Sequence, residues 1–251
     1  MVVAVIITII PWSVDASVSY LPDVTKEMSG YEYWENDESL LLSYDEIIKT
    51  NERTYRTEGT FMQDLKSAGG TINVYKENKA LLQLSTNDAN YYVGWTYVGS
   101  DKESTIADFQ AMIKNTQDPK PQAKRSVLFG ICTNHTLLRT FPSETPIYDD
   151  TSDLDFDYQA LSSIRVNEPL VITTMSRDRT YYCARTNNAS GWVKATDVAI
   201  CKDKQEWLSA WDIKNEDALV ICGGRVYTQN SKFATELSNK LLTMGSVLKK
   251  A

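Results

Sequence analysis

The sequence predicts an α+β, β-rich fold built around one small β-barrel. Three observations predict it. Five short runs, 126–132, 135–139, 169–174, 180–186 and 191–193, are dense in β-branched and aromatic residues, the composition of pleated, half-buried strands. Clusters of turn formers separate them: Phe141-Pro142-Ser143 with Pro146, Ser176-Arg177-Asp178-Arg179, and Asn187-Asn188-Ala189-Ser190. The last two have hairpin lengths. One long polar excursion, 149–165, interrupts the otherwise even spacing.

Five short strands with one long first loop are the make-up of an SH3-like barrel. The rest of the chain is arranged before and after it. Residues 2–10 form an apolar run too short to cross a bilayer. Followed by Pro11 and Val14-Asp15-Ala16, the run resembles a signal peptide over residues 1–16, with Ala16 as the cleavage position. No Lys or Arg precedes it, which a mis-assigned start or a buried N-terminal strand would also explain. Ser43 with Glu46 three residues on reads as a capping box opening a helix that runs to Thr54. Residues 60–67 give a second helical turn ending at Gly69-Gly70, which is a helix stop, because the Gly-x-x-x-x-Gly-Lys pattern of a phosphate loop is missing. The runs 71–75, 80–84 and 91–98 read as strands. Residues 105–115 form an amphipathic helix with Ile106, Phe109 and Ile113 on one face. Gln117-Asp118-Pro119-Lys120-Pro121 is the clearest linker. Beyond the barrel, 202–211 reads as a short helix, 217–222 and 225–229 as a hairpin about Gly223-Gly224, and Met244-Gly245-Ser246 starts one more strand.

Composition narrows the function. Hydrophobic residues make up 42 % and charged residues 24 %, enough for a sizeable core. Net charge is −7 with Lys and Arg scattered, so no basic stripe exists to track a phosphate backbone, and nucleic acid is not an expected partner. Cys132, Cys183, Cys201 and Cys222 are irregularly spaced, without the Cys-x-x-Cys of a zinc ribbon, and read best as unpaired thiols.

A resemblance adds to this. Arg139-Thr140-Phe141-Pro142 follows a strand as an Arg-Thr-x-Pro turn. After it come Asp157-Tyr158-Gln159, Glu168-Pro169 before a strand, the Ser176-Arg177-Asp178 hairpin and a closing Gly191-Trp192-Val193. In that order these motifs resemble the first bacterial SH3 domain of NlpC-type cell-wall cysteine peptidases. The resemblance implies four parts: a signal peptide (1–16), an N-terminal clip segment (17–120) to which the Ser43–Glu46 helix and Asn51 are similar, a bacterial SH3 domain (121–203), and the start of a second, truncated SH3-like barrel (204–251). It further implies an exported, cell-wall-associated protein that meets peptidoglycan stem peptides and works with an NlpC-type catalytic domain, either C-terminal or separate. The family's reaction is hydrolysis of the γ-D-glutamyl–diamino acid bond. The alternative is a stand-alone wall-binding SH3 adaptor with no peptidase partner.

The sequence holds no catalytic constellation of that family. Its Asp-Cys-Ser-Gly nucleophile motif does not occur, and the single histidine, His135, lies three residues from Cys132, a spacing that sends strand side chains to opposite faces. Asp153, Asp155 and Asp157 open like a calcium loop, but Tyr158 and Ile164 stand at the positions that need Gly and Glu, so no metal or other cofactor is expected. Strand alternation would set the three carboxylates on one face. With Arg139 near, they would form a rim for an amine and a carboxylate. By position in the resembled family, Arg139, Asp157, Tyr158 and Gln159 are the expected substrate contacts.

Overall fold

Ser43 opens the first described element as expected. In the computed structural model, which describes residues 42–57, 62–99 and 101–250, its side chain and the Glu46 carboxylate form a reciprocal capping box on helix α1 (Tyr44–Arg56). The apolar run at 2–10 and the aromatic stretch at 17–37 lie outside the described residues. The chain divides into two units, Met1–Glu58 with Ala251, to which α1 belongs, and Gly59–Lys250. No helix among the described residues is long and apolar enough to cross a membrane.

The larger unit is organised by one antiparallel sheet. Its strands are β4 (Leu128–Cys132), β5 (Thr136–Arg139), β7 (Ala160–Ile164), β8 (Pro169–Met175), β9 (Tyr181–Arg185), β10 (Ser190–Lys194) and β11 (Val198–Ile200). They run in the order β11-β4-β8-β9-β10-β5-β7, so the sheet is open, its two end strands unpaired with each other. All five strands expected from composition are present. The excursion at 149–165 is not wholly a loop: it contains β7, which pairs along β5 from Thr136↔Ile164 to Arg139↔Ala160. The short strand β6 (Ile147–Tyr148) precedes it.

Alternation assigns each residue to a face. One face carries Cys132, Leu138, Ile164, Leu170, Ile172, Ala184 and Val193 as a continuous core. The other is covered by helices. Trp207 of α4 (Lys204–Trp211) buries itself there with Val171 and Leu65, its indole N–H donating to the Gly130 carbonyl at 3.0 Å. Beside it, Tyr181, Cys183 and Trp192 pack under Leu81 of α2 (Val74–Tyr92).

That helix corrects the reading of 71–98. Only Thr71–Ile72 (β1, paired with β3, Arg125–Ser126) and Tyr97–Val98 (β2, paired with β6) are strand. Between them Asn73 caps α2 by accepting from the Lys76 N–H at 3.1 Å, and nineteen residues follow in helix. The inward stripe is Val74, Asn78, Leu81, Ser85, Ala89 and Tyr92, a helical spacing partly written in polar residues. The apolar residues that suggested a strand, Leu82 and Leu84, are exposed. Helix α3 (Ile106–Asn115) lies where expected, but Phe109 and Met112 are its buried residues and Ile106 is exposed. Phe109 packs with Ala89 of α2 and with Phe141 and Ile147.

At the C-terminal end, β12 (Ala218–Val220) pairs with β15 (Val247–Lys249), and β13 (Arg225–Tyr227) pairs with β14 (Leu241–Thr243). The expected hairpin about Gly223-Gly224 does not form. A two-residue type I′ turn needs positive φ at both central residues, and neither glycine has it. The positive φ falls instead at Gly245 (82°), between β14 and β15, where its N–H donates to the Ile221 carbonyl at 2.8 Å.

Candidate functional site

Arg139 ends β5 opposite Trp192 of β10, where the chain turns through Thr140-Phe141-Pro142. Its side chain is only 7 % exposed and is held from three sides. Nη2 donates to Asp157 Oδ2 at 2.8 Å, and Nε donates to the Ser143 carbonyl at 2.7 Å and to Gln159 Oε1 at 3.2 Å. Asp157 Oδ1 in turn accepts from the backbone N–H groups of Ile147 (3.0 Å) and Gln159 (2.9 Å). The Gln159 side chain, fully buried, donates to the Thr145 carbonyl. The guanidinium therefore fastens the turn after β5 to the end of the long loop, its charge compensated by a partly buried carboxylate.

Tyr158, in the turn before β7, points elsewhere. Its hydroxyl donates to Asp149 Oδ2 at 2.9 Å, and that bond, with burial and the Asp149 charge, raises the phenol above its ordinary range. Its ring meets Trp95 edge-on at 5.4 Å and Phe156 at 4.8 Å, while its carbonyl accepts from the Tyr92 hydroxyl at 3.2 Å. Tyr91 adds a further ring against Trp95 at 5.5 Å. The outcome is an aromatic ridge on the surface, with Tyr91 69 %, Phe156 61 % and Trp95 37 % exposed. Asp149 flanks it, and Asp88 lies half-buried on α2 near Tyr92, its carboxyl raised by burial.

The four expected residues are thus adjacent but divided in direction. Arg139, Asp157 and Gln159 form one inward network, and Tyr158 belongs to the outward ridge. Asp153 and Asp155 do not join Asp157 on a strand face, because the segment is not strand; both are exposed, and Asp153 caps the Asp155 N–H at 3.1 Å. Among the described residues no group of three His, Cys, Asp or Glu side chains is placed to hold a metal ion. Tyr92 and Trp95 do not stand out in the sequence, because they meet only once 74–92 is helix and the turn after it brings Trp95 back beside Tyr91 and Tyr92.

Cys132 closes β4 and His135 lies in the short connection before β5, so the two do not share a strand. Cys132 is buried, and its thiol donates to the Asn134 carbonyl at 2.9 Å. Burial pushes that thiol up to about 12, so no thiolate is available at neutral pH. All four cysteines are free.

This architecture, an antiparallel sheet of short strands whose first long loop is pinned by an Arg–Asp–Gln network, is that of an SH3-like domain. Residues 146–194 match the family model described as an SH3 domain of the SH3b1 type, and the chain carries such a domain. Among solved structures, an NlpC/P60 endopeptidase from Photobacterium damselae subsp. piscicida superposes with a TM-score of 0.59 at 18 % identity, over 84 % of this chain and 47 % of that one. At that identity the likeness is one of fold, and the chain spans about half the length of the solved relative. No curated protein matches the sequence.

Proposed function

We propose that this chain is a non-catalytic, cell-wall-binding region of an exported peptidoglycan endopeptidase, shaping the rim on which a stem peptide is held for a γ-D-glutamyl–diamino acid hydrolase domain. The observation that carries the reading is the coincidence of an SH3b1-type domain with a fold shared, over most of the chain, with an NlpC/P60 endopeptidase. The rim chemistry is consistent with it. Arg139, Asp157 and Gln159 fix the turn and loop, and Tyr158 with Asp149 offers a hydroxyl and a carboxylate to a cationic amine beside aromatic faces that pack against the peptide. Isolated contacts of this kind give millimolar affinity or near it. Burial pushes the Cys132 thiol up to about 12, which disfavours it as a nucleophile and supports the non-catalytic reading.

Co-sedimentation with purified peptidoglycan and an NMR titration with an L-Ala-γ-D-Glu fragment test the reading together. The expected result is binding to sacculi, shifts confined to 149–165 and Arg139, and no cleavage of stem tripeptide. Sacculus binding without those shifts would favour the stand-alone adaptor, since Tyr158 would then be idle. Neither binding nor shifts at millimolar fragment would overturn both.

A further inference from the structure

A cleft of about 960 Å³ lies apart from the aromatic ridge, between α3, the turn at Ser143–Thr145, the β8–β9 turn and the end of β10. Its walls are tied together. Asn115 donates from its side-chain amide to the Pro142 carbonyl at 2.8 Å and to Asp178 Oδ2 at 3.0 Å, and its main-chain and side-chain oxygens accept from the Arg177 and Asp178 N–H groups.

Two independent features of this cleft are left open by the fold. Tyr181 lines it, is 4 % exposed, and has a buried hydroxyl with no hydrogen-bond partner among the described residues, so an unsatisfied donor belongs to a side chain in the wall of the cleft. Burial, reinforced by Glu144 and opposed by Arg139, pushes that phenol up to about 12, so it stays protonated as a donor at neutral pH. The second feature is the charge of the lining. Lys114, Arg177 and Arg179 reach the cleft and form no ion pair among the described residues, whereas its carboxylates are already engaged. Glu144 pairs with Lys194 at 2.7 Å, Asp178 accepts from Ser176 Oγ at 2.6 Å and the Thr180 N–H at 2.9 Å, and Asp108 caps α3 through the Thr105 N–H at 2.6 Å. The cleft lining carries four cationic and three anionic side chains, a local positive excess on a chain of net charge −7.

We infer that this cleft binds a carboxylate group, with the Tyr181 hydroxyl as its buried donor and Lys114, Arg177 and Arg179 as its counter-charges. An unsatisfied phenol supplies a directional bond without having to break an internal one, and exposed cations that form no ion pair among the described residues lose chiefly water on meeting an anion. The occupant is a small carboxylate or a peptide ending in one.

The test is an NMR titration of the full chain with N-acetylglutamate and, separately, with its uncharged diamide. The acid should shift residues 177–181 and 195–196, and the diamide should not. Tyr181→Phe should weaken binding at least threefold while leaving the thermal midpoint unchanged or higher, because the variant removes an orphaned hydroxyl and no bond. Lys114→Gln combined with Arg179→Asn should weaken it at least fivefold; asparagine tolerates the positive φ (65°) that Arg179 adopts. Equal response to acid and diamide would overturn the inference, as would native affinity in both variants. So would a marked loss of stability in Tyr181→Phe, which would mean that the hydroxyl already has a structural partner.

Discussion

Replacing Asp118 by alanine is the sharpest test of how the N-terminal segment of the larger unit is held to the sheet. The segment Gln117–Pro121 reads in the sequence as an open linker, yet the Asp118 carboxylate is 1 % exposed. Its Oδ2 accepts from Arg125 Nη1 at 2.6 Å and from the Thr174 hydroxyl at 2.9 Å, and its Oδ1 from the Lys120 N–H at 2.8 Å. Its main chain exchanges two hydrogen bonds with the Asn78 side chain, so one residue ties α2, β3 and β8 together. Removing one partner of a buried pair costs about 3–5 kcal/mol, chiefly because the other charge is stranded. Arg125 keeps 24 % of its side chain in water and retains the Thr173 carbonyl at 3.0 Å, so the expected loss for Asp118→Ala is lower, about 2–4 kcal/mol. Burial acts to raise this carboxyl, but the Lys120 N–H, Arg125 and Thr174 outweigh it, and the folded pKa is lowered. The sign follows: the stabilisation is full above the unfolded value of about 3.9 and is lost as pH falls through the lower folded one. The gap between native and Asp118→Ala, measured by urea denaturation followed by tryptophan fluorescence, should therefore be widest at pH 7 and close progressively below about pH 4. A loss under about 0.5 kcal/mol at pH 7, the size of an ordinary surface change, would refute the reasoning, as would a gap that ignores pH.

Two further outcomes follow from the same structure. A Cβ at Gly191 would lie 2.7 Å from the Arg139 carbonyl oxygen, 2.9 Å from Leu161 Cδ1 and 3.0 Å from Leu138 Cγ, so Gly191→Ala should lower stability by about 1–3 kcal/mol in the same denaturation assay, and an unchanged midpoint would mean that β10 and β5 do not approach so closely. With a thiol-specific chromogenic reagent at pH 8, exposed Cys222 should react at once, while Cys132 and Cys183, each pushed by burial to about 12, should react only on unfolding; rapid modification of Cys132 or Cys183 in the native protein would contradict their burial.

The strands that were legible in the sequence share a physical reason. β8 and β9 have residues buried on both faces and are written in Val, Ile, Thr, Tyr and Cys, a composition that has little alternative to strand. β7 was not legible because it ends the sheet: Leu161 and Ser163 face out, Ser162 lies between them, and its only fully buried residue is Ile164. An edge strand needs no apolar alternation to pair its backbone. Helix α2 was hidden for the complementary reason. Its inward stripe uses Asn78 and Ser85 among apolar residues, so neither period stands out, and the cap at Asn73 is the one local sign that separates helix from strand.

The motifs that carry the family resemblance turn out to be turn chemistry. Arg139 and Gln159 clasp the 139–145 turn, Glu168 accepts the Arg165 N–H at 3.0 Å, Asp178 accepts from both Ser176 and Thr180, and Gly191 admits the Arg139 carbonyl. Each solves a backbone problem that any chain adopting this sheet must solve, and the hydrogen-bonding capacity of most of these side chains is taken up inside the domain. The groups with capacity left over are mostly different ones: the rings of Tyr91, Trp95 and Phe156, the Tyr181 hydroxyl, and the cations of Lys114 and Arg179, with Arg177 alone inside a motif. None of the rings belongs to one of these motifs, and the order of motifs along the chain says nothing about them. These groups lie on surfaces that the motifs position without specifying, so two chains with the same turn chemistry can differ there without any cost to the fold.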